Sequence, residues 1–345
     1  MKNKIGGMRL VTIREVAKEA DVSIGTVSRY LNGHQLKQKN QTNIKKAIKK
    51  LGYKENIIAK GLKNNRSLSI GVLVNSFTDI FAMSIVSYLE NYLEKYNYSL
   101  LLCDYQNNNK RLKEKLAFLE NRFVDGMVIF PLDKNLDCLK QSIAKHIAIV
   151  AVDAPIKTIK TDTVLVDNYD ASYEVVEKLF KFGHKKIGII AGKTDRFIGR
   201  KRLAGYIDSM KNKNIYNEKL IAVGNYTKES GYIKTKQLIE RNQLTALYST
   251  NYYMTIGAIQ ALIEENYSIP KDISLIGFDH FGLSNIMQSK LTAVEQPIEE
   301  IGLTIGKLIL KQINHSTLDQ PLTIELKTKL VWRDSVRELK KDLAN

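Results

Sequence analysis

The sequence predicts an N-terminal all-α unit followed by an α/β core of two doubly wound parallel-sheet lobes. Three observations predict it. A helix-capping signature with two short amphipathic stretches opens the chain, short apolar runs alternate with longer amphipathic ones from Leu68 onward, and the roughly 280 residues beyond Arg66 exceed one doubly wound domain. With 345 residues, 44% apolar and 26% charged, the chain can bury sizeable cores and is not disordered wholesale. Its longest uninterrupted apolar run, residues 147–152, falls far short of the roughly 18 needed to span a bilayer. Charges at Lys4, Arg9, Arg14 and Glu15 interrupt the apolar region a secretory signal needs, so the expected location is cytoplasmic.

Thr12-Ile13-Arg14-Glu15 fits a capping box, with a hydroxyl to take an orphan amide and a carboxylate three residues on to reach back. The helix it opens has Val16, Ala17 and Ala20 on one face. Asp21 follows where a tight turn requires a residue that tolerates left-handed backbone. Ser23 then opens a second helix to about Leu31, burying Val27 and Leu31 at i and i+4, and Asn32-Gly33 stops it. A third helix is expected over 41–51, carrying Lys45, Lys46, Lys49 and Lys50. Residues 1–66 hold 16 Lys and Arg against 4 Asp and Glu, a net +12 of the chain's +17. A polyanionic partner is therefore expected for this fifth of the chain, and the two short helices have the spacing of a helix-turn-helix.

Val11-Thr12-Ile13-Arg14-Glu15-Val16-Ala17 and Val22-Ser23-Ile24-Gly25-Thr26-Val27-Ser28-Arg29-Tyr30-Leu31-Asn32-Gly33 resemble the DNA-binding headpiece of the lactose-repressor (LacI/GalR) family. Leu51-Gly52-Tyr53, Asn56 and Ala59-Lys60-Gly61-Leu62 follow that family's third helix and hinge. The resemblance implies DNA contacts from Thr12, Ser23, Ile24, Gly25, Thr26, Ser28, Arg29, Asn32, Asn56, Ala59 and Leu62, with Leu62 wedged into the minor groove. Ile24 and Gly25 lack the bidentate groups that read bases directly, which leaves Arg29 as the main candidate for base recognition. Glu55 stands where the family usually has proline and Gly61 weakens a hinge helix, so the hinge is expected to order only on DNA.

In the remaining chain, strands are expected at 68–74, 99–103, 126–130, 147–152, 186–191, 246–249 and 274–277. Amphipathic helices are expected at 80–96, 110–121, 171–182, 200–213, 231–241 and 254–266. A break near Asp167-Asn168-Tyr169 divides two series of βα units. Open α/β sheets bind ligands beyond the carboxyl ends of their strands, so two such lobes place a small-molecule site between them. The family resemblance extends here through Asp167-Asn168, Phe182-Gly183-His184-Lys185-Lys186-Ile187, Arg202-Leu203-Ala204-Gly205-Tyr206, Gly277-Phe278-Asp279 and Leu291-Thr292-Ala293-Val294-Glu295-Gln296-Pro297, covering about residues 10–335. It implies a core like a periplasmic sugar-binding protein, with three crossing segments.

By the same resemblance the effector contacts are Asp153, Arg202, Asn251 and Asp279, with Phe81 and Tyr226 as walls. Read alone, Asp153 and Asp279 are also suited to capping helices and Arg202 to a surface ion pair. Tyr252, His280 and Asp79 depart from the family pattern, leaving the effector open: a sugar or sugar phosphate first, a nucleobase or nucleoside second. The implied organisation is a headpiece at 10–54, a hinge at 55–66, a core at 67–337 and a tail at 338–345. Lobe 1 takes about 67–167 and 297–325, and lobe 2 about 168–296 and 326–337.

Enzymatic alternatives lack their motifs. Gly188-Ile189-Ile190-Ala191-Gly192-Lys193-Thr194 has three residues between its glycines where a phosphate loop needs four, and no G-x-G-x-x-G follows a strand. His34, His146, His184, His280 and His315 are scattered, and Cys103 and Cys138 form no metal-ligand spacing, so no catalytic residue, metal or cofactor is expected. A solute-binding protein would share the lobes but not the +12 headpiece. The expected function is sequence-specific repression of carbohydrate-utilisation genes, with an activator as the runner-up. The expected partners are a pseudopalindromic double-stranded operator, the effector and a second copy of the chain, with no membrane; the charged residues 337–345 are too short for a coiled-coil zipper.

Overall fold

The computed structural model describes residues 4–5, 8–9, 11–31, 33–53, 66–131, 136–282, 287–314 and 320–339. The chain forms two compact units, residues 1–68 and 69–345.

In the first unit, β1 (Lys4–Ile5) pairs antiparallel with β2 (Met8–Arg9), ahead of three helices: α1 (Ile13–Glu19), α2 (Ile24–Leu31) and α3 (Gln38–Leu51). The capping box is present: Thr12 donates its amide to Glu15 Oε2 at 2.8 Å, and its hydroxyl accepts the Glu15 amide. Asp21 adopts φ +53°, which lets the chain turn within a few residues before Ser23 accepts the Thr26 amide at 3.1 Å. Gly33, at φ +74°, closes α2. Val16, Ala17, Ala20, Val27, Ile44 and Ala47 are buried together, while Leu31 packs at their margin. The third helix begins at Gln38 rather than at residue 41, because Gln41 turns back to donate to the Leu36 carbonyl at 3.1 Å instead of standing at the start.

The second unit contains two six-stranded sheets. The first lobe is built on β3 (Ser69–Val74), β4 (Ser99–Asp104), β5 (Gly126–Ile129), β6 (Ala148–Val152), β7 (Asp162–Val166) and β13 (Thr323–Leu326), ordered β13-β7-β6-β5-β3-β4 and parallel throughout. Its helices are α4 (Ile80–Glu94), α5 (Asn109–Asn121), α6 (Leu139–Ala144) and α11 (Ile298–Asn314). The second lobe is built on β8 (Ile187–Ala191), β9 (Ile221–Val223), β10 (Ala246–Ser249), β11 (Ser274–Phe278), β12 (Thr292–Glu295) and β14 (Lys329–Val331), ordered β14-β12-β11-β10-β8-β9. Its helices are α7 (Asn168–Lys181), α8 (Phe197–Asn212), α9 (Lys228–Arg241) and α10 (Tyr252–Glu264).

The sheets depart from the expected pattern at their margins. β14 runs antiparallel to β12, and β7, β9, β12, β13, β14, α6 and α11 were not anticipated as elements. β7 escapes detection because it opens Asp162-Thr163, polar residues that are nevertheless buried: the Asp162 carboxylate accepts Gln312 Nε2 at 2.9 Å and the Leu322 amide at 2.8 Å. Those two hydrogen bonds compensate the cost of burying the carboxylate. The helices α7, α8 and α9 each begin three residues before the expected start. The segment expected to form a tail from residue 338 stays docked as far as Leu339, whose amide donates to the Phe182 carbonyl at 2.8 Å.

The chain passes between sheets three times, at Asp167, at Gln296-Pro297 and at Lys327-Thr328. Two of these passages are tied together, since the Asp167 carboxylate accepts both the amide and the hydroxyl of Thr328, at 2.9 and 2.8 Å. Among the described residues no helix is long and apolar enough to cross a membrane.

Candidate functional site

In the headpiece, α2 presents its first turn to solvent. Ile24 is 46% exposed, Gly25 and Arg29 are exposed, and Thr26 and Ser28 are half-buried. Ser23 and Thr26 share a hydroxyl hydrogen bond of 2.8 Å that holds both side chains at the helix start. Arg29 makes no side-chain hydrogen bond or ion pair among the described residues, whereas Lys50 is bound to Glu19 at 2.6 Å, so three of the four α3 lysines remain unpaired. Asn32, Asn56, Ala59, Gly61 and Leu62, with the rest of the expected hinge at 54–65, lie outside the described residues.

In the core, all six expected effector residues lie just beyond the carboxyl ends of parallel strands or on the helices that follow. Asp153 follows β6, Phe81 lies in the first turn of α4 after β3, Arg202 is on α8 after β8, Tyr226 follows β9, Asn251 follows β10 and Asp279 follows β11. Three of them hold positive φ without being glycine: Asp153 at +74°, Tyr226 at +71° and Asp279 at +62°. Such backbone costs energy and concentrates where side chains must be aimed rather than merely packed.

Asp153 is half-buried, and its carboxylate accepts no hydrogen bond among the described residues. Burial pushes it up to about 7; the Arg202 charge pulls it down, and the Asp79 and Asp279 carboxylates push it further up. Asp279 is buried and is likewise pushed up to about 6 by burial, although Arg202 and hydrogen bonds from Gln296 oppose the shift. Its carboxylate accepts Gln296 Nε2 at 2.6 Å and the Gln296 amide at 3.3 Å. Neither aspartate caps a helix. That work falls to Asn251, whose Oδ1 accepts the Tyr253 and Met254 amides at 3.0 and 3.2 Å, and to Asp79, whose carboxylate accepts those of Phe81 and Ala82.

Arg202 is buried, not a surface ion pair. Its Nε donates to Asn168 Oδ1 and its Nη1 to the Thr250 carbonyl, both at 2.7 Å, and the guanidinium lies over the Phe278 ring. Nη2 has no partner among the described residues. A guanidinium so fixed offers its remaining N–H groups in one direction. Tyr226 fits a slot made by two glycines: a Cβ on Gly192 would approach its ring to 2.4 Å and one on Gly199 its hydroxyl to 2.8 Å. The Tyr226 hydroxyl is buried without a hydrogen bond, and burial pushes it up to about 12.

The lobes also touch directly. Tyr253 Oη donates to the Thr78 carbonyl at 2.5 Å and accepts the Ile80 amide at 3.4 Å, and Arg196 Nη2 donates to Asn107 Oδ1 at 3.0 Å. Tyr252 stacks edge-on to Tyr253 and Phe281, each with ring centres 5.2 Å apart. Sequence reasoning missed Arg196 and Tyr253. The six-residue spacing of Arg196 and Arg202 at the start of one helix was a signal for the first; the second had none. The unanticipated His280 bonds Glu295 at 2.9 Å beside Arg333, which keeps it turned to the β12 edge.

The arrangement offers fixed hydrogen-bonding groups, aromatic faces and a charged helix surface. Residues 12–56 match bacterial regulatory proteins of the lacI family, and residues 176–336 match the periplasmic binding protein-like domain. The chain is 30% identical over 336 residues to the HTH-type transcriptional repressor PurR of Actinobacillus pleuropneumoniae serotype 3 (strain JL03), covering 96% of this chain and all of that one. It is 27% identical over 334 residues to catabolite control protein A of Priestia megaterium, covering 95% and 99% of the two chains. The solved complex of the transcriptional regulator CelR with cellobiose superposes with a TM-score of 0.72 at 26% identity, covering 94% of this chain and 99% of that one. A DNA-binding transcriptional regulator and not an enzyme, the chain belongs to the lacI family of bacterial regulatory proteins.

Proposed function

We propose that the chain is a cytoplasmic, homodimeric repressor that reads a pseudopalindromic operator through Thr12, Ser23, Ile24, Gly25, Thr26, Ser28 and Arg29, with Asn32 and the hinge residues Asn56, Ala59 and Leu62. A small carbohydrate effector, held between the lobes by Phe81, Asp153, Arg202, Tyr226, Asn251 and Asp279, sets its affinity for that operator. The observation that carries this reading is the pairing of an unbonded Asp153 carboxylate with a rigidly held Arg202 whose Nη2 is unused. Acceptor and donor side by side suit vicinal hydroxyls, and aromatic faces suit a sugar's C–H surface. CelR, with cellobiose in its printed description, supports the class.

A nucleobase is the second reading. The PurR relatives favour it, and the Tyr252, Tyr253 and Phe281 rings would suit a planar ligand. Dimerisation is supported by large apolar side chains left exposed on both lobes, Tyr88 and Leu102 on the first and Val223, Ile233 and Ile263 on the second. Paired headpieces would match a two-fold operator.

The test is footprinting on the DNA around its own gene, across a salt series and with sugars, sugar phosphates and nucleobases. A protected palindrome whose occupancy changes with one compound is expected, and that compound decides between the two readings. Weak, sequence-independent binding with a steep salt slope would overturn the specific-repressor reading.

A further inference from the structure

Arg196 is left in an unusual state for a charged residue. It stands at the N-cap of α8, with its side chain only 20% exposed, yet its Nη1 is buried without a hydrogen-bond partner. Its Nη2 bonds a neutral amide oxygen, Asn107 Oδ1, and the carboxylate nearest it, Asp195, is 74% exposed and 3.9 Å away. At that distance, in water, such a pair does little to compensate the guanidinium. A buried donor without an acceptor costs on the order of 1–3 kcal/mol, more when charged, and calls for an explanation.

A second orphan lies at the same place. The Tyr226 hydroxyl is also buried and unbonded, it abuts Gly199 in the first turn of α8, and Arg196 is close enough to influence its ionisation. On the opposing lobe, Asn107 and Gln106 follow β4, and the Gln106 amide donates to the carbonyl of Asn75, whose own side-chain oxygen is unpartnered. The first turn of α8 carries no acidic side chain and no side-chain cap. Two donors therefore converge on one end of the cleft, one of them a permanent cation, while the other end holds the carboxylates of Asp153 and Asp279.

We infer that Arg196 and Tyr226 form an oxyanion subsite, and that the effector carries a phosphoryl group there with its hydroxyls directed at Asp153, Arg202 and Asp279. This rests on the proposed effector site and narrows it to a phosphorylated polyol. Guanidinium donors in a fixed fork match phosphate oxygens, and a hydroxyl donor beside them completes the contact. Unphosphorylated sugars leave both donors unpaired, and that omission supplies the selectivity.

Isothermal titration of the full chain with inorganic phosphate, glucose 6-phosphate and glucose tests this. Saturable phosphate binding in roughly the millimolar range is expected, weakened about tenfold or more by Arg196→Gln and partly restored by Arg196→Lys, which keeps the charge without the fork. Lys193→Gln, which removes an exposed charge from the same loop, should change binding less than about twofold. Circular dichroism melts of each variant separate loss of the subsite from loss of the fold. Absence of saturable phosphate binding, equal binding by Arg196→Gln, or tighter binding of glucose than of glucose 6-phosphate would overturn the inference. A regulator whose operator occupancy responds to an unphosphorylated compound would keep its proposed function while losing this subsite. Phosphate binding through Arg196, with operator occupancy indifferent to every compound, would do the reverse.

Discussion

The guanidinium of Arg202 lies with its central carbon 3.3 Å above the ring centre of Phe278, sandwiched between β11 and the hydrogen bonds it gives to Asn168 and Thr250. Planarity and a fixed fork both matter there, so lysine is a poor substitute. Arg202→Lys should weaken effector binding about tenfold or more while leaving operator binding in the absence of effector intact. Fluorescence anisotropy on labelled operator, titrated with the compound identified by footprinting, measures both. An unchanged effector response would remove Arg202 from the site.

Asp153 titrates near 7 when folded and near the ordinary carboxylate value when unfolded. A raised folded value means that the native state binds the proton more tightly than the unfolded chain. The carboxyl therefore opposes folding increasingly as pH rises from about 4 to 7 and evenly above. Asp153→Asn removes that dependence, so the stability difference between variant and wild type should grow across this window, by about 1.4 kcal/mol for each pH unit of displacement at most. Urea melts at pH 5 and pH 8 measure it. His184, whose folded value is lowered by burial, changes stability in the opposite sense and cancels in the difference.

The helices α9 and α10 meet at glycines. A Cβ on Gly257 would stand 1.9 Å from the Lys228 carbonyl oxygen and 2.6 Å from the Tyr232 amide. Neither neighbour is the far end of a flexible side chain, so Gly257→Ala must separate the helices, at a cost of about 1–3 kcal/mol or more. Gly25 is the contrasting case, with nothing nearer than Ser23 Oγ at 3.7 Å. Gly25→Ala should be neutral or stabilise by up to about 1 kcal/mol. Thermal melts of the two variants should move in opposite directions.

Lys45 and Lys50 both lie exposed on α3, but Glu19 holds Lys50 at 2.6 Å. Phosphate neutralisation by an already paired lysine releases fewer counterions. Lys45→Gln is accordingly expected to reduce the slope of log affinity against log salt by about 0.9 per contact, and Lys50→Gln by less. Equal slopes would show that Glu19 leaves Lys50 when DNA binds.

Most of the buried strands were legible, because a parallel strand covered on both faces reads as an unbroken apolar run; Ala148–Val152 and Ile187–Ala191 are of this kind. Those that were not, such as Asp162–Val166, owe their burial to polar partners distant in sequence, here Gln312 and Leu322. Edge strands such as Ile221–Val223 are short and half-exposed, and carry little pattern. In the site, Asp153 and Asp279 were recoverable from motif and strand end, but the positive φ that aims them was not. Arg196 was overlooked because an arginine is ordinarily solvated, and only its surroundings reveal a buried nitrogen.

The three passages of the chain between the sheets also constrain how the molecule is made. As the polypeptide leaves the ribosome, the first lobe has strands β3 to β7 but lacks α11, which packs on α4, β5, β6 and β7, and lacks β13 at its edge. Both arrive only after residues 168–296, nearly the whole second lobe, have been synthesised. The later lobe can thus finish folding before the earlier one, and the newborn chain must keep the apolar surface beneath α11 from sticking elsewhere until residue 314 has emerged.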